Sequence, residues 1–399
     1  MMLKVGTVIN EEWLNILKDK RLFAVLFLVP ILYTAMFGYL YSNHRVTEIT
    51  TVIVDKDRSQ LSQQIIQAFD ETETFHVTNQ VFTEAEIQPL IEAGQVKAAI
   101  IIPDDMYKKV LRGEEAPIMT MIDGSNMLIS NQATKAANEV VQSFNFGASA
   151  KKLAQNELNS EQIELTFQAI PFRTRVLYNG TFNYSDFLVY GLIGVALQQV
   201  LLLGLSLTVT REKEKGEWGK YEIWREQPWL MAYAKTAPYF LIGLFNFIVT
   251  FLVGIYGFGL PANGPFFSAF ILAVSFTFSL LGIGYLASLF SANQVGATQI
   301  TMLIAVPSFL LSGFTWPFEA MPPLLSGIGH LLPLTYFLDG VRNIFIKGVG
   351  LGLIWKDCVV LLLMGLITFL VAFIASSLKV YWDKSTDEDF EDVELEKRV

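Results

Sequence analysis

The chain has 399 residues, of which 52% are hydrophobic and 17% charged, with 31 phenylalanines and a formal net charge of −9. A mean hydropathy of +0.41, with the apolar residues gathered in long blocks rather than periodic stripes, excludes an ordinary soluble globular enzyme. No basic run is present that would track a phosphate backbone, which argues against nucleic acid as a partner. Cys358 is the single cysteine, so no disulfide forms within the chain, and it reads as a packing residue. His44, His76 and His330 are too scattered in sequence to make a metal site, and no cofactor of the chain's own is expected.

From the N-terminus, residues 1–21 read as an amphipathic elbow helix. Val5, Ile9, Trp13 and Leu17 recur at spacings of four, with Val8 and Ile16 beside them, while Lys4, Asn10, Glu11, Asn15 and Lys18 take most of the other face. Such a helix lies in a headgroup region, where tryptophan is favoured, either passing force into the first span or serving as a simple anchor. The first apolar block runs from Leu22 to Tyr41, and it follows a polar stretch with no small-residue cleavage site after it. It is therefore expected to be a retained helix rather than a cleaved leader.

Residues 42–185 change character and read as an inserted α/β domain. Thr50–Val54, Phe75–Val77, Ala98–Ile102 and Ile118–Ile122 are strand candidates. Helices are expected at Gln60–Phe69 after the turn Asp55–Ser59, near Glu84–Ala93 before Gly94, and from Pro103 to Leu111. A polar helical pattern follows from Met127 to Leu158. No nucleophile–base pair or carboxylate constellation stands out, and no catalytic residue is assigned.

Five more spans follow: Phe187 to Thr210, Thr236 to Leu260, Phe266 to Phe290, Thr298 to Phe314 and Cys358 to Leu378. Each approaches or exceeds the roughly 20 apolar residues that cross a hydrocarbon core of about 30 Å, and none contains Asp, Glu, Lys or Arg within those bounds. The fold class is thus a six-span α-helical integral membrane protein. Lys4, Lys18, Lys20 and Arg21 precede the first span, Arg211, Lys213, Lys215, Lys220 and Arg225 follow the second, and Lys379 and Lys384 follow the sixth. The positive-inside rule then puts both termini and the 211–230 loop in the cytoplasm and residues 42–185 outside. Residues 315–347 are apolar but broken by Pro317, Pro322, Pro323 and Pro333, a pattern for short re-entrant helices. The acidic residues of 379–399 read as a solvated cytoplasmic tail.

The 211–230 loop combines alternating charge, two glycines, Trp218 and Trp224, and aromatic anchors rimmed by charge suit docking of a cytosolic partner. Three stretches stand out: Val54-Asp55-Lys56-Asp57-Arg58-Ser59-Gln60-Leu61-Ser62, Arg211-Glu212-Lys213-Glu214-Lys215-Gly216, and Ser312-Gly313-Phe314-Thr315-Trp316-Pro317-Phe318-Glu319-Ala320-Met321-Pro322. In their order and spacing the chain resembles the permease subunits of type 2 ABC exporters with a large external domain. Where the family usually has Thr after the loop glycine and Glu two residues on, this chain has Glu217 and Gly219. The resemblance implies a second permease chain, identical or paralogous, and separate ABC ATPase subunits that bind ATP and Mg. The chain itself has no G-x-x-x-x-G-K-[ST] phosphate loop. Arg211, Glu212, Glu214, Gly216, Glu217 and Trp218 are then the expected coupling residues, with Ile9, Trp13 and Leu17 on the elbow helix.

Gln198, Gln199, Asn246 and Gln299 are the polar residues within the spans that are candidates for a substrate path, although such residues are more often interhelical glue than ligands. Gly296, Pro307 and Gly313 mark the fifth span as the expected dimer face. Export of a lipophilic or amphipathic compound is the leading function. A proton- or sodium-coupled transporter is the first alternative, disfavoured by spans without an ionisable residue. A membrane sensor with an external ligand-binding domain is the second.

Overall fold

The computed structural model describes residues 2–42, 46–80, 83–112, 114–154, 178–179, 183–217 and 227–396. The chain forms two compact units, Met1–Ser42 with Leu177–Val399, and Asn43–Val176.

The larger unit is a helical bundle. Helix α1 (Met2–Lys18) ends where the Asp19 carboxylate accepts from the backbone N–H of Arg21 and Leu22, at 3.0 and 3.1 Å, and starts a new helix. Six helices among the described residues are long and apolar enough to span a membrane: TM1 (Lys20–Leu40), TM2 (Tyr184–Glu214), TM3 (Pro228–Gly257), TM4 (Phe266–Phe290), TM5 (Gln294–Leu311) and TM6 (Leu351–Val380). TM4 coincides with its apolar block, TM2, TM3, TM5 and TM6 begin ahead of theirs, and TM5 stops at Leu311, short of the expected Phe314. TM2 takes in Asp186 and the charged residues Arg211–Glu214, and TM3 takes in Lys235. The proline-broken stretch forms two helices at 81° to each other, Pro323–His330 and Pro333–Ile346.

TM1 contains a π-helical turn at Ala24–Leu28, just ahead of Pro30. Pro30 has no N–H to offer the Leu26 carbonyl one turn earlier. Asn246 of TM3 supplies the missing donor, its Nδ2 lying 2.8 Å from that oxygen. Glycines let the helices approach closely. A Cβ at Gly204 of TM2 would lie 2.7 Å from Leu26 and 2.9 Å from Tyr239, and one at Gly282 of TM4 would lie 2.9 Å from the backbone of Thr368 in TM6. Tyr190 stacks on Phe251 and Phe345, and its hydroxyl donates to the Pro261 carbonyl at 2.5 Å.

The smaller unit is built on a four-stranded sheet. Strands β1 (Ile49–Asp55), β2 (Phe75–Gln80), β3 (Ala98–Ile102) and β4 (Met119–Ile122) lie in the order β2-β1-β3-β4, with β4 antiparallel and the rest parallel. Helices α2 (Gln60–Asp70) and α5 (Met127–Ala154) contribute to the core on one face, where Ile49, Ile53, Ile100 and Ile102 meet Ile65, Phe69, Ala133 and Ala137. Val52, Val54, Ala99 and Ile101 point the other way, toward Ile87 and Leu90 of helix α3 (Ile87–Glu92). Two covered faces explain why these strands read as unbroken apolar runs.

The first motif, Asp55 to Ser62, closes the end of β1. Asp55 Oδ1 accepts from the N–H of Asp57 and Arg58, and Oδ2 accepts from Ser62 Oγ at 2.7 Å. Ser59 caps α2, and Asp57 accepts from Tyr107 N in the first turn of helix α4 (Met106–Arg112) at 3.2 Å. Both helix starts are thus filled by the chain's own side chains.

Candidate functional site

The expected apolar face of α1 is rotated by about one residue from the face it buries. Val8, Glu12 and Ile16, one per turn, are fully buried, whereas Ile9 and Trp13 are half-buried and Leu17 is 54% exposed. A glutamate therefore sits in the middle of the buried stripe, and it has partners. Glu12 Oε1 accepts from Arg211 Nη2 of TM2 at 2.8 Å and from the Tyr239 hydroxyl of TM3 at 3.0 Å. Glu12 Oε2 pairs with Lys235 Nζ of TM3 at 2.8 Å, and Lys235 also pairs with Glu212 of TM2. Two carboxylates and two cations thus cross-link α1, TM2 and TM3. Lys235 and Glu12 are wholly inaccessible. Val8, Val209, Leu230, Met231 and Ala234 surround this end of the bundle with apolar side chains. Pairing is what makes such burial tolerable, because an isolated charge here would lose its hydration without compensation.

The motif Arg211–Gly216 is the last turn of TM2 and its cap rather than an open loop, and its alternating residues go to different partners. Arg211 and Glu212 turn inward to the cluster just described. Lys213 Nζ reaches the carbonyls of Ser288, Leu289 and Ser291, at 3.2, 2.5 and 2.9 Å, around the C-terminus of TM4. Glu214 Oε1 accepts from the backbone N–H of Gln294 at 2.8 Å, at the first residue of TM5, and Oε2 accepts from the Gln294 side chain. Gly216 ends the helix. At φ +69° it donates to the Lys213 carbonyl at 3.0 Å, while Glu217 N donates to the Glu212 carbonyl at 2.9 Å. Glu217 follows this cap, and Trp218 lies outside the described residues.

A Cβ at Gly216 would meet no atom within 4 Å, so Gly216→Ala is expected to act through the backbone alone, at a cost of about 1–2 kcal/mol. The variant should show faster hydrogen exchange at the amides of residues 216 and 217. Unchanged exchange would contradict the cap.

The four polar residues proposed from the sequence for a substrate path do not converge on one cavity. A small cleft between TM2, TM3 and TM4 is lined by Leu197, Leu201, Gly243, Asn246, Phe247, Ala273, Phe276 and Thr277, and so contains Asn246 alone of the four. Gln198 is buried in TM2 with neither amide atom hydrogen-bonded, Gln199 is half-buried, and Gln299 is exposed on TM5.

Sequence reasoning missed Glu12, Lys235 and Tyr239. The available signal was a Glu placed four residues from both Val8 and Ile16, inside the stripe rather than opposite it. It also missed Arg342, which donates to the Phe314 carbonyl at 2.8 Å and stands 4.4 Å from the centre of the Phe314 ring. These contacts brace the third motif, where Gly313 takes φ +74° and the Phe318 ring fills the space a Cβ would need.

The sequence profile of the ABC-2 family transporter proteins matches residues 20–374, a stretch that includes all three motifs. The chain belongs to the ABC-2 transporter family. This ABC-2 permease is 25% identical over 360 residues to the probable multidrug ABC transporter permease YbhR of Escherichia coli strain K12, across 90% of this chain and 94% of that one. The inner membrane transport permease YhhJ of the same strain is also 25% identical, over 374 residues, covering 91% and 94% of the two chains. The linearmycin resistance permease protein LnrN of Bacillus subtilis is 20% identical over 382 residues, with 92% and 98% covered. With six candidate spans and relatives named as permeases along their whole length, the protein is a multi-pass membrane permease of the ABC exporter type.

Proposed function

We propose that this permease carries a lipophilic or amphipathic compound out of the cytoplasm or the inner leaflet of a bacterial inner membrane, driven by separate ABC ATPase subunits. The observation that carries this reading is the family match across residues 20–374 in a chain without a phosphate-loop motif. ATP and Mg are then bound by the partner, and this chain is a transport subunit rather than an enzyme. The names of YbhR and LnrN, which speak of multidrug transport and linearmycin resistance, support a drug- or antibiotic-like substrate.

In this reading both termini and the 211–230 loop face the cytoplasm and the α/β unit lies outside. The turn after TM2 receives the ATPase through Gly216 and Glu217, with Trp218 the expected anchor of the segment that follows, while Arg211, Glu212 and Glu214 carry the push inward. Helix α1 is the elbow, held by Glu12, with Ile9, Trp13 and Leu17 toward the inner-leaflet lipid. A second permease chain packs on TM5, whose Val295, Met302, Leu303, Val306 and Leu310 form an exposed apolar stripe. Gln199 and Gln299, the two path candidates with exposed surface, line the route, while Gln198 and Asn246 lie within the bundle.

The test is purification of the detergent-solubilised chain from its native host, followed by an ATPase assay of what accompanies it. A stoichiometric nucleotide-hydrolysing ABC subunit is expected. A chain that purifies without any nucleotide-binding protein, under conditions that preserve such complexes, would shift the balance to ion-coupled transport or sensing.

A further inference from the structure

TM4 and TM5 are joined by three residues, 291–293, and both ends of that turn are held by consecutive residues of TM2. The last carbonyls of a helix have no partner within it. At the end of TM4 those of Ser288 and Leu289, with the adjacent Ser291 carbonyl, accept from Lys213, and Leu289 also lies 3.3 Å from Lys379 Nζ. The first N–H of TM5, on Gln294, is equally an orphan, and it donates to Glu214 at 2.8 Å. A cation thus sits at a helix C-terminus and an anion at a helix N-terminus, each with the sign its helix dipole favours. A further link lies one turn back, where Ser288 Oγ accepts from the N–H of Val209 and Thr210 at 2.9 and 3.1 Å. TM2 ends at the Gly216 cap two residues beyond Glu214.

We infer that Lys213 and Glu214 are positioning residues that make the start of TM5 follow the end of TM2. A push received at the turn after Gly216 then displaces the TM4–TM5 turn with it, and TM5 is a driven helix. Glu214 acts inside its own chain, through Gln294, rather than by touching the ATPase. This rests on the reading that the turn after TM2 receives the ATPase.

The test uses the full-length chain with its ATPase, reconstituted in lipid, and has two arms. In the first, hydrogen exchange at the Gln294 amide, the one Glu214 accepts from, is compared among wild type, Glu214→Leu, Glu214→Asp and Lys213→Met, without nucleotide; Gly296 is capped separately by Asn293. Losing one such hydrogen bond accelerates an amide about fivefold. The Leu variant should show that acceleration, the Asp variant should not, and the Met variant should show a smaller one through the loosened TM4–TM5 turn; equal exchange in all four would overturn the clamp. In the second arm, Glu214→Cys and Gln294→Cys are combined in a Cys358→Ala background and joined by oxidation. If the two ends move together, the bridged protein exports a fluorescent lipophilic dye within twofold of the Cys358→Ala parent. If they part during the cycle, oxidation abolishes export and the inference fails. Absence of ATP-dependent export in the Cys358→Ala parent, with Glu214 and Gln294 intact, would count against the exporter reading alone, leaving the first arm to decide the clamp.

Discussion

Replacing Glu12 by alanine is expected to destabilise the bundle by about 3–5 kcal/mol, and Lys235→Met should do comparable damage. Each change strips a buried charge of its partner: without Glu12, both Arg211 and Lys235 lose a carboxylate, and without Lys235, Glu12 and Glu212 share one cation fewer. The double variant Glu12→Ala/Lys235→Met removes one charge of each sign, leaving Arg211 beside Glu212. It should therefore be less damaged than the sum of the singles by about 0.5–3 kcal/mol, the range for residues in one ionic network. Tyr239→Phe removes one hydrogen bond to Glu12 and should cost about 1–3 kcal/mol. Thermal unfolding of the purified full-length chain in lipid nanodiscs measures all four. Additive single effects in the double variant would show that Glu12 and Lys235 do not act as a unit.

The second large effect is expected at the crossing of TM4 and TM6. A Cβ on Gly282 would lie 2.3 Å from Thr368 Oγ1 and 2.9 Å from the Thr368 carbonyl carbon. Gly365 repeats the arrangement in reverse, 2.4 Å from the Phe278 ring and 3.2 Å from the Phe278 carbonyl oxygen. Backbone cannot swing aside as a long side chain can, so Gly282→Val must push the helices apart. A loss of about 2–3 kcal/mol is expected, at the upper end for overpacked cores. Gly352→Val, at a position with nothing within 4 Å of a Cβ, is the matched control and should unfold close to wild type. Equal unfolding of the two variants would mean that TM4 and TM6 do not cross closely in the membrane.

These two features differ in how far they could be read beforehand. The spans were legible because about 20 apolar residues in a row have few other folds available. The strands of the smaller unit were legible for a related reason: Thr50–Val54 and Ala98–Ile102 are β-branched or small apolar runs too short for a stable helix. The ionic cluster was not legible, since its four charges come from positions 12, 211, 212 and 235 and three separate helices. Taken singly, Glu12 reads as one more polar residue of an amphipathic helix, and Lys235 as a flank just outside an apolar block. Only their pairing makes burial possible, and pairing is a tertiary fact.

The motif after TM2 shows the same limit. Its alternating charges read as a solvated docking loop, yet the described residues sort them inward and sideways, Arg211 and Glu212 to the cluster and Lys213 and Glu214 to the ends of TM4 and TM5. Gly216 was visible as a helix stop, but not what the turn before it holds together. Asn246 carries a further lesson. Its place in TM3 left a substrate contact and interhelical glue both open, and the geometry ties its amide to a carbonyl of TM1 that Pro30 leaves without a donor.

The most direct measurement is hydrogen exchange of the permease purified with its ATPase, compared without nucleotide and with ATP trapped by vanadate. Protection should change together at residues 211–217 and at 294–297, with the amides of 98–102 in the sheet core unaffected. A nucleotide response that leaves 211–217 unchanged would contradict the account that ATP-driven movement enters this permease through the end of TM2.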